Sequence, residues 1–163
     1  MLKRILILLL VALSVFFVAC SDDSDNGTGS NNTDGSMEAS VAGSDWEANT
    51  AVVAIYESTT GTLNVTGQFT NINTSDSKQM SLTIMQNAAE GPFNVGLFGP
   101  AQARYTEASL TNPLGESYIG TSGTIEITEL TSSSVKGNFS FSGALNGNGA
   151  VKQITGGKFS AKF

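Results

Sequence analysis

Apolar and polar residues alternate one by one along most of the chain after residue 36. Leu63, Val65 and Phe69 alternate with asparagine, threonine and glutamine, and Phe139 and Phe141 alternate with asparagine and serine. Because successive side chains of a strand point to opposite faces, a period of two places the apolar set on one face of a half-buried strand. The pattern predicts antiparallel strands with one solvated face.

Short segments rich in glycine, asparagine, aspartate and serine separate the alternating runs. The clearest of them are 58–61, 73–77, 87–91, 130–134 and 146–149. Such residues tolerate turn geometry, and connections this short leave no room for crossover helices. We therefore expect an all-β domain over residues 37–163, an antiparallel meander of about 8–10 strands that forms either a barrel or a two-sheet sandwich.

The first 19 residues have a different pattern and are predicted to be a lipoprotein signal peptide. Lys3 and Arg4 precede an apolar run over residues 5–18, in which Ser14 is the only polar residue. A run of this length is too short for a transmembrane helix, which needs about 20 residues, and is typical of a signal-peptide core.

Cys20, the only cysteine of the chain, directly follows this segment. The end of the run, Val18-Ala19-Cys20, resembles a bacterial lipobox, although Phe17 stands where leucine, valine or isoleucine is usual. The resemblance implies that Cys20 is acylated and becomes the first mature residue, and several acyl chains on one residue make a stable membrane anchor. The alternatives are an ordinary cleaved secretory signal and an uncleaved membrane anchor.

Residues 20–36 are expected to form a flexible tether. Residues 21–36 contain no apolar side chain, so they bury nothing that would offset the entropy of ordering. The sequence Ser21-Asp22-Asp23 resembles the acidic export signal of Bacteroidetes-type surface lipoproteins. That resemblance implies an outer-membrane protein facing the cell surface, with a periplasm-facing anchor as the alternative.

Charge and composition exclude several kinds of chemistry. Without the predicted signal peptide the chain keeps six basic and 14 acidic residues, and it has no histidine. An acidic surface repels phosphate backbones, so we expect no nucleic-acid partner. Without histidine, and with Cys20 acylated, we expect no metal site, no cofactor and no enzymatic activity. A hydrolase that uses only carboxylates to cleave polysaccharide is the enzymatic alternative.

Segment 86–120 departs most from regular alternation and contains all three prolines of the chain. Irregular segments on a rigid scaffold often carry binding residues. The candidates there are Arg104, Tyr105, Glu107 and Tyr118. Their alternative role is structural, in a pair of strands with Arg104 in a surface ion pair.

Trp46, the only tryptophan, is a fifth candidate for ligand binding. A tryptophan beside a turn either closes one end of a core or presents an exposed ring on which a sugar can stack. We expect the partners of the domain to be a membrane, through the lipid on Cys20, and a glycan, an apolar ligand or an envelope protein.

Four stretches resemble an uncharacterised family of small Bacteroidetes surface lipoproteins. They are 39–46 (ASVAGSDW), Tyr118 with 122–127 (SGTIEI), 137–141 (GNFSF) and 154–159 (ITGGKF). The resemblance implies an anchored β-domain of unknown function and brings no catalytic or binding residues with it. The expected function is a non-catalytic binding or envelope-interaction module, with polysaccharide hydrolysis and a purely structural envelope role as alternatives.

Overall fold

The computed structural model describes residues 35–163. The predictions for the signal peptide, for Cys20 and for the tether up to residue 34 lie outside the described residues. The ten strands are β1 (Ser36–Val41), β2 (Ser44–Glu47), β3 (Ala51–Glu57), β4 (Thr62–Asn71), β5 (Asp76–Ile84), β6 (Gly91–Val95), β7 (Ala101–Ser109), β8 (Asn112–Leu130), β9 (Ser134–Leu145) and β10 (Val151–Lys162). β1 begins at Ser36, the last residue of the predicted tether.

The all-β class and the number of strands are confirmed, and the strands form one mixed sheet. Its order is β2-β1-β10-β9-β8-β6-β7-β5-β4-β3, and it is not closed into a barrel. Every pairing is antiparallel except that of β6 with β7, where Val95 pairs with Ala101. β8 pairs with β7 along its first half and with β6 along its second. Within residues 35–163, no helix has the length and apolar character needed to span a membrane.

The sheet rolls up around one apolar core. The inward-facing residues of all ten strands contribute to it, with Met37, Met80 and Ile154 among its fully buried members. The rolling brings the edge strand β3 near the end of β10. There the ring of Tyr56 in β3 stacks on that of Phe163, the residue after β10, with centroids 5.6 Å apart. The single sheet thereby covers both sides of its own core.

Inward-facing glycines make room for aromatic rings in this core. A Cβ atom at Gly157 would lie 2.5 Å from the ring of Phe139, and one at Gly137 would meet the ring of Phe159 at the same distance. Glycine usually weakens a strand. At these two positions the missing side chain leaves space for an aromatic ring of the neighbouring strand. These positions keep the alternating pattern while packing closely.

The two ends of the roll differ in the chemistry of their inward-facing side chains. We call one the sealed end; it carries the connections 58–61, 85–90 and 131–133 and is apolar inside. We call the other the charged mouth, defined by the inward-facing Lys78, Glu107, Glu116 and Lys152 with the tyrosines behind them. The connections 42–43, 72–75, 110–111 and 146–150 surround the charged mouth.

Candidate functional site

The charged mouth arises where the apolar alternation of four strands continues into charged residues. Each charged residue lies two positions from a buried core residue of the same strand and therefore shares its face. The pairs are Lys78 with Met80 on β5, Glu107 with Tyr105 on β7, Glu116 with Tyr118 on β8 and Lys152 with Ile154 on β10.

An ion pair between Lys152 and Glu107 lies at the centre of the mouth. The Lys152 Nζ atom contacts the Glu107 Oε1 atom, and both side chains are partly buried. The same Nζ atom lies 4.4 Å from the ring centroid of Tyr118 and 5.7 Å from that of Tyr105. Burial acts to lower the pKa of Lys152, but the hydrogen bond and the charge of Glu107 outweigh it and raise the pKa. Lys152 is therefore cationic at neutral pH.

Two tyrosines hold the carboxylates of the mouth in place. The Tyr105 hydroxyl donates a hydrogen bond to Glu107 Oε2 at 3.1 Å, and the Tyr118 hydroxyl donates one to Glu116 Oε2. Burial raises the pKa of both tyrosines, and the neighbouring carboxylates add to the rise. Tyr105, Tyr118 and Lys152 all keep their protons at neutral pH, so this arrangement suits binding better than proton abstraction.

Two clefts open at the charged mouth and share Lys78 and Glu107 in their walls. The inner cleft, of about 200 Å³, lies between the hairpin of β1 and β2, with Asp45 and Trp46, and the side chain of Lys152. The outer cleft, of about 310 Å³, runs between β5, β7 and β8. Each has room for a side chain or a group of similar size. Within residues 35–163, no three acidic or cysteine side chains converge in a way that would hold a metal ion.

Trp46 is packed in the core, with only 5% of its surface exposed. Its ring lies against Gly67, and the residue borders both the inner cleft and a larger cleft of about 930 Å³ along β1 and β2. Its Nε1 atom is the one buried side-chain nitrogen or oxygen of residues 35–163 without a hydrogen-bond partner. The ring has no free face for a sugar, so its placement fits the core-closing alternative.

The structure brings four of the five candidate ligand-binding residues together and separates the fifth. Trp46, Tyr105 and Glu107 line the inner cleft, and Tyr118 lies beside Lys152. Arg104 is exposed on the opposite face of the sheet, because it is adjacent to the inward-facing Tyr105 in β7. Its neighbours there line a cleft that shares no residue with the two clefts of the charged mouth.

Sequence reasoning missed Lys78, Glu116 and Lys152. The signal that would have found them is their position in the alternation, since a charge on the apolar face near a strand end must lie at the rim of the core. The position of Glu116 is also harder to predict because it follows Gly115. The φ of Gly115 is +72°, and the pairing of β7 with β8 is irregular nearby.

The comparison with known families matches residues 33–161 to a domain of unknown function, DUF6252. No curated protein and no solved structure was found to match the chain. The match covers nearly all of the β-domain and agrees with the coarse part of the resemblance, a family of unknown function. This chain belongs to the DUF6252 family.

Proposed function

We propose that the protein is a non-catalytic binding module that is held at the outer membrane by a lipid on Cys20 and uses the charged mouth as its binding site. One observation carries this proposal: charged side chains lie on the inward face of a sheet whose interior is otherwise apolar. Placing charge on a largely covered inner face is unfavourable, and proteins depart from apolar interiors mainly at functional sites.

The position of the chain at Gly35 supports the orientation of this module. Gly35 lies between Ser160 of β10 and Val52 of β3, at the part of the roll where β10 approaches its end. The Lys152 end of β10 lies at the charged mouth, eight residues from Ser160 along an extended strand. The predicted tether joins the sheet beside the Ser160 end of β10, which leaves the mouth at the other end of that strand free to face away from the membrane.

Anchoring is tested by the substitution Cys20→Ala in the full chain. We expect the protein to move from the membrane fraction to the soluble fraction, because the acyl chains supply the membrane affinity. The unfolding midpoint of the released domain should match that of wild type, because all ten strands lie within residues 36–162. Membrane retention of Cys20→Ala would contradict the anchor.

Binding is tested with Lys152→Met and Glu107→Gln in a screen of glycans, lipids and envelope proteins. We expect either substitution to weaken capture of the bound partner while the circular dichroism spectrum stays that of wild type. Lys136→Met and Glu129→Gln are the matched controls, because that ion pair of 2.9 Å is largely exposed and lies outside the mouth. A partner that binds all four variants equally would place the site elsewhere.

Polysaccharide hydrolysis is a second candidate function, favoured by one feature of the mouth. Glu107 and Glu116 are direct cross-strand partners of β7 and β8, beside two tyrosines. Glycosidases pair two carboxyl groups in this way, but one of them must be a protonated acid. Both carboxyl groups here are already engaged, Glu107 with Tyr105 and Lys152 and Glu116 with Tyr118, which favours binding over hydrolysis. Release of reducing sugar ends that is lost in both Glu107→Gln and Glu116→Gln would establish the hydrolase.

A further inference from the structure

We infer that the charged mouth and the two hairpin tips beside it form a docking surface for a segment of another protein that carries basic side chains flanked by aliphatic ones. The inference names the partner class of the site proposed above and rests on that proposed function. Three features carry it: exposed aliphatic side chains, an excess of carboxylates and covered aromatic rings.

The hairpin tips present large aliphatic side chains to solvent. Ile72 in the connection of β4 with β5 is 86% exposed, and Leu110 and Leu114 around the connection of β7 with β8 are 72% and 98% exposed. The two hairpins are neighbours, because Ser77 of β5 pairs with Ala108 of β7. Exposed apolar side chains grouped at one place are typical of interaction sites.

The clefts between and behind these tips carry more negative than positive charge. Their walls hold four carboxylates, Asp45, Asp76, Glu107 and Glu116, and two lysines, Lys78 and Lys152. Among residues 35–163, neither Asp45 nor Asp76 has a lysine or arginine within ion-pair distance. An ammonium or guanidinium group of a partner would meet these carboxylates.

The charge of the whole chain selects among the occupants of this surface. Because the chain without its predicted signal peptide has six basic and 14 acidic residues, a second copy and an anionic lipid surface are both repelled at the acidic mouth, whereas a basic segment is attracted. The partner is therefore expected to be cationic where it meets the clefts.

A polypeptide fits the mouth better than a sugar does. Tyr105 is only 1% exposed and Trp46 only 5%, so neither offers the ring face on which sugars stack. Aliphatic side chains at the tips match those of a protein partner.

Three synthetic peptides of equal length test the inference. In the first, lysine and leucine alternate; in the second, glutamate replaces lysine; in the third, serine replaces leucine. Binding of fluorescent peptides is measured by anisotropy, with the emission of Trp46, the sole tryptophan, as a second readout. We expect the first peptide to bind, the second not to bind, and the third to bind at least about tenfold more weakly than the first, since both charge and apolar contact contribute.

Paired variants of the domain assign this binding to the docking surface. Leu110→Ser with Leu114→Ser removes the apolar tips, and Asp76→Asn with Glu116→Gln removes two carboxylates. Each pair is expected to weaken the first peptide about tenfold or more. The matched controls are Ile55→Ser with Phe98→Ser and Glu126→Gln with Glu129→Gln, which change residues outside the docking surface.

The results separate this inference from the proposed function. A docking surface for a basic segment would be overturned if the control pairs lost as much affinity for the first peptide as the docking-surface pairs. Binding of the glutamate peptide would overturn it as well. A glycan or lipid that binds in a Lys152-dependent manner, with no binding of the first peptide, would overturn this inference and uphold the binding module. Binding of the first peptide that needs both the tips and the carboxylates supports the two together.

Discussion

The sealed end and the charged mouth are built by the same strands and differ only in what those strands place on their inner face. At the sealed end Leu63, Ile84 and Val135 are buried, and the rings of Tyr56 and Phe163 stack beside them. At the mouth the same face carries charged side chains. Lys152 pairs with Glu107, and two tyrosines donate hydrogen bonds to the carboxylates. The roll thus separates the part that stabilises the fold from the part available for binding.

This division explains how a domain without internal disulfides tolerates charge inside its sheet. Apolar burial contributes about 25 cal/mol per Å², and the sealed end and middle of the roll supply most of it. The mouth residues are partly solvated and hydrogen-bonded, which limits the penalty for placing them there. Substitutions at the two ends should therefore have effects of different kinds.

The largest effect on stability is expected for Ile84→Ala. Ile84 is 1% exposed at the sealed end of β5, so removing its side chain leaves a cavity and should lower the free energy of unfolding by about 2–5 kcal/mol. The matched control is Ile55→Ala, which is 64% exposed and should change the value by less than about 0.5 kcal/mol. Chemical denaturation of both variants measures the difference, and equal effects would contradict the assigned core.

A smaller effect is expected for the central ion pair of the mouth. A double-mutant cycle with Lys152→Met and Glu107→Gln should give a coupling energy of about 1 kcal/mol, because both side chains are partly buried. The same cycle for Lys136 and Glu129, which are largely exposed, should give about 0.3 kcal/mol or less. If the coupling energy of Lys152 with Glu107 is no larger than that of Lys136 with Glu129, the central ion pair adds little to the stability of the fold.

The fold was predictable to the level of strands, and its closure was not. Alternation is a local property, so runs such as 63–69 and 137–141 identified strands without any knowledge of their neighbours. Whether ten strands form a closed barrel, two stacked sheets or one rolled sheet depends on pairings between residues that are distant along the chain. The insertion of β6 between β7 and β8 is one such pairing, and no local pattern near Pro92 indicates it.

The candidate site was predictable in part for the same reason. Tyr105 and Glu107 share a face of one strand, so their proximity follows from sequence. Lys152 reaches them from β10, 45 residues from Glu107 along the chain, and only the rolled sheet brings it there. Arg104 lies next to the inward-facing Tyr105 in β7, so the alternation alone already places it on the outer face, away from the mouth.

Alkaline pH should lower the free energy of unfolding, because it deprotonates residues of the mouth. The loss should be smaller than that caused by Ile84→Ala. Tyr105, Tyr118 and Lys152 all have a raised pKa in the folded protein. A raised folded pKa contributes stability that is fully present below the unfolded value and is lost as pH rises through the folded pKa. The unfolding free energy should therefore stay level from pH 7 to 9 and fall above about pH 10. Tyr105→Phe should flatten that fall, and an unchanged slope would contradict the role of Tyr105.

The smallest effect on stability is expected for Leu114→Ser, although Leu114 is a large apolar residue at a hairpin tip of the proposed docking surface. The side chain is almost fully exposed, so its removal should change the free energy of unfolding by less than about 0.5 kcal/mol. Thermal and chemical denaturation against wild type measure this. A large loss would mean that Leu114 packs within the domain, whereas no loss together with weaker peptide binding separates docking from folding at one residue. The exposed leucine then belongs to the surface that binds, and the buried isoleucine at the other end to the part that folds.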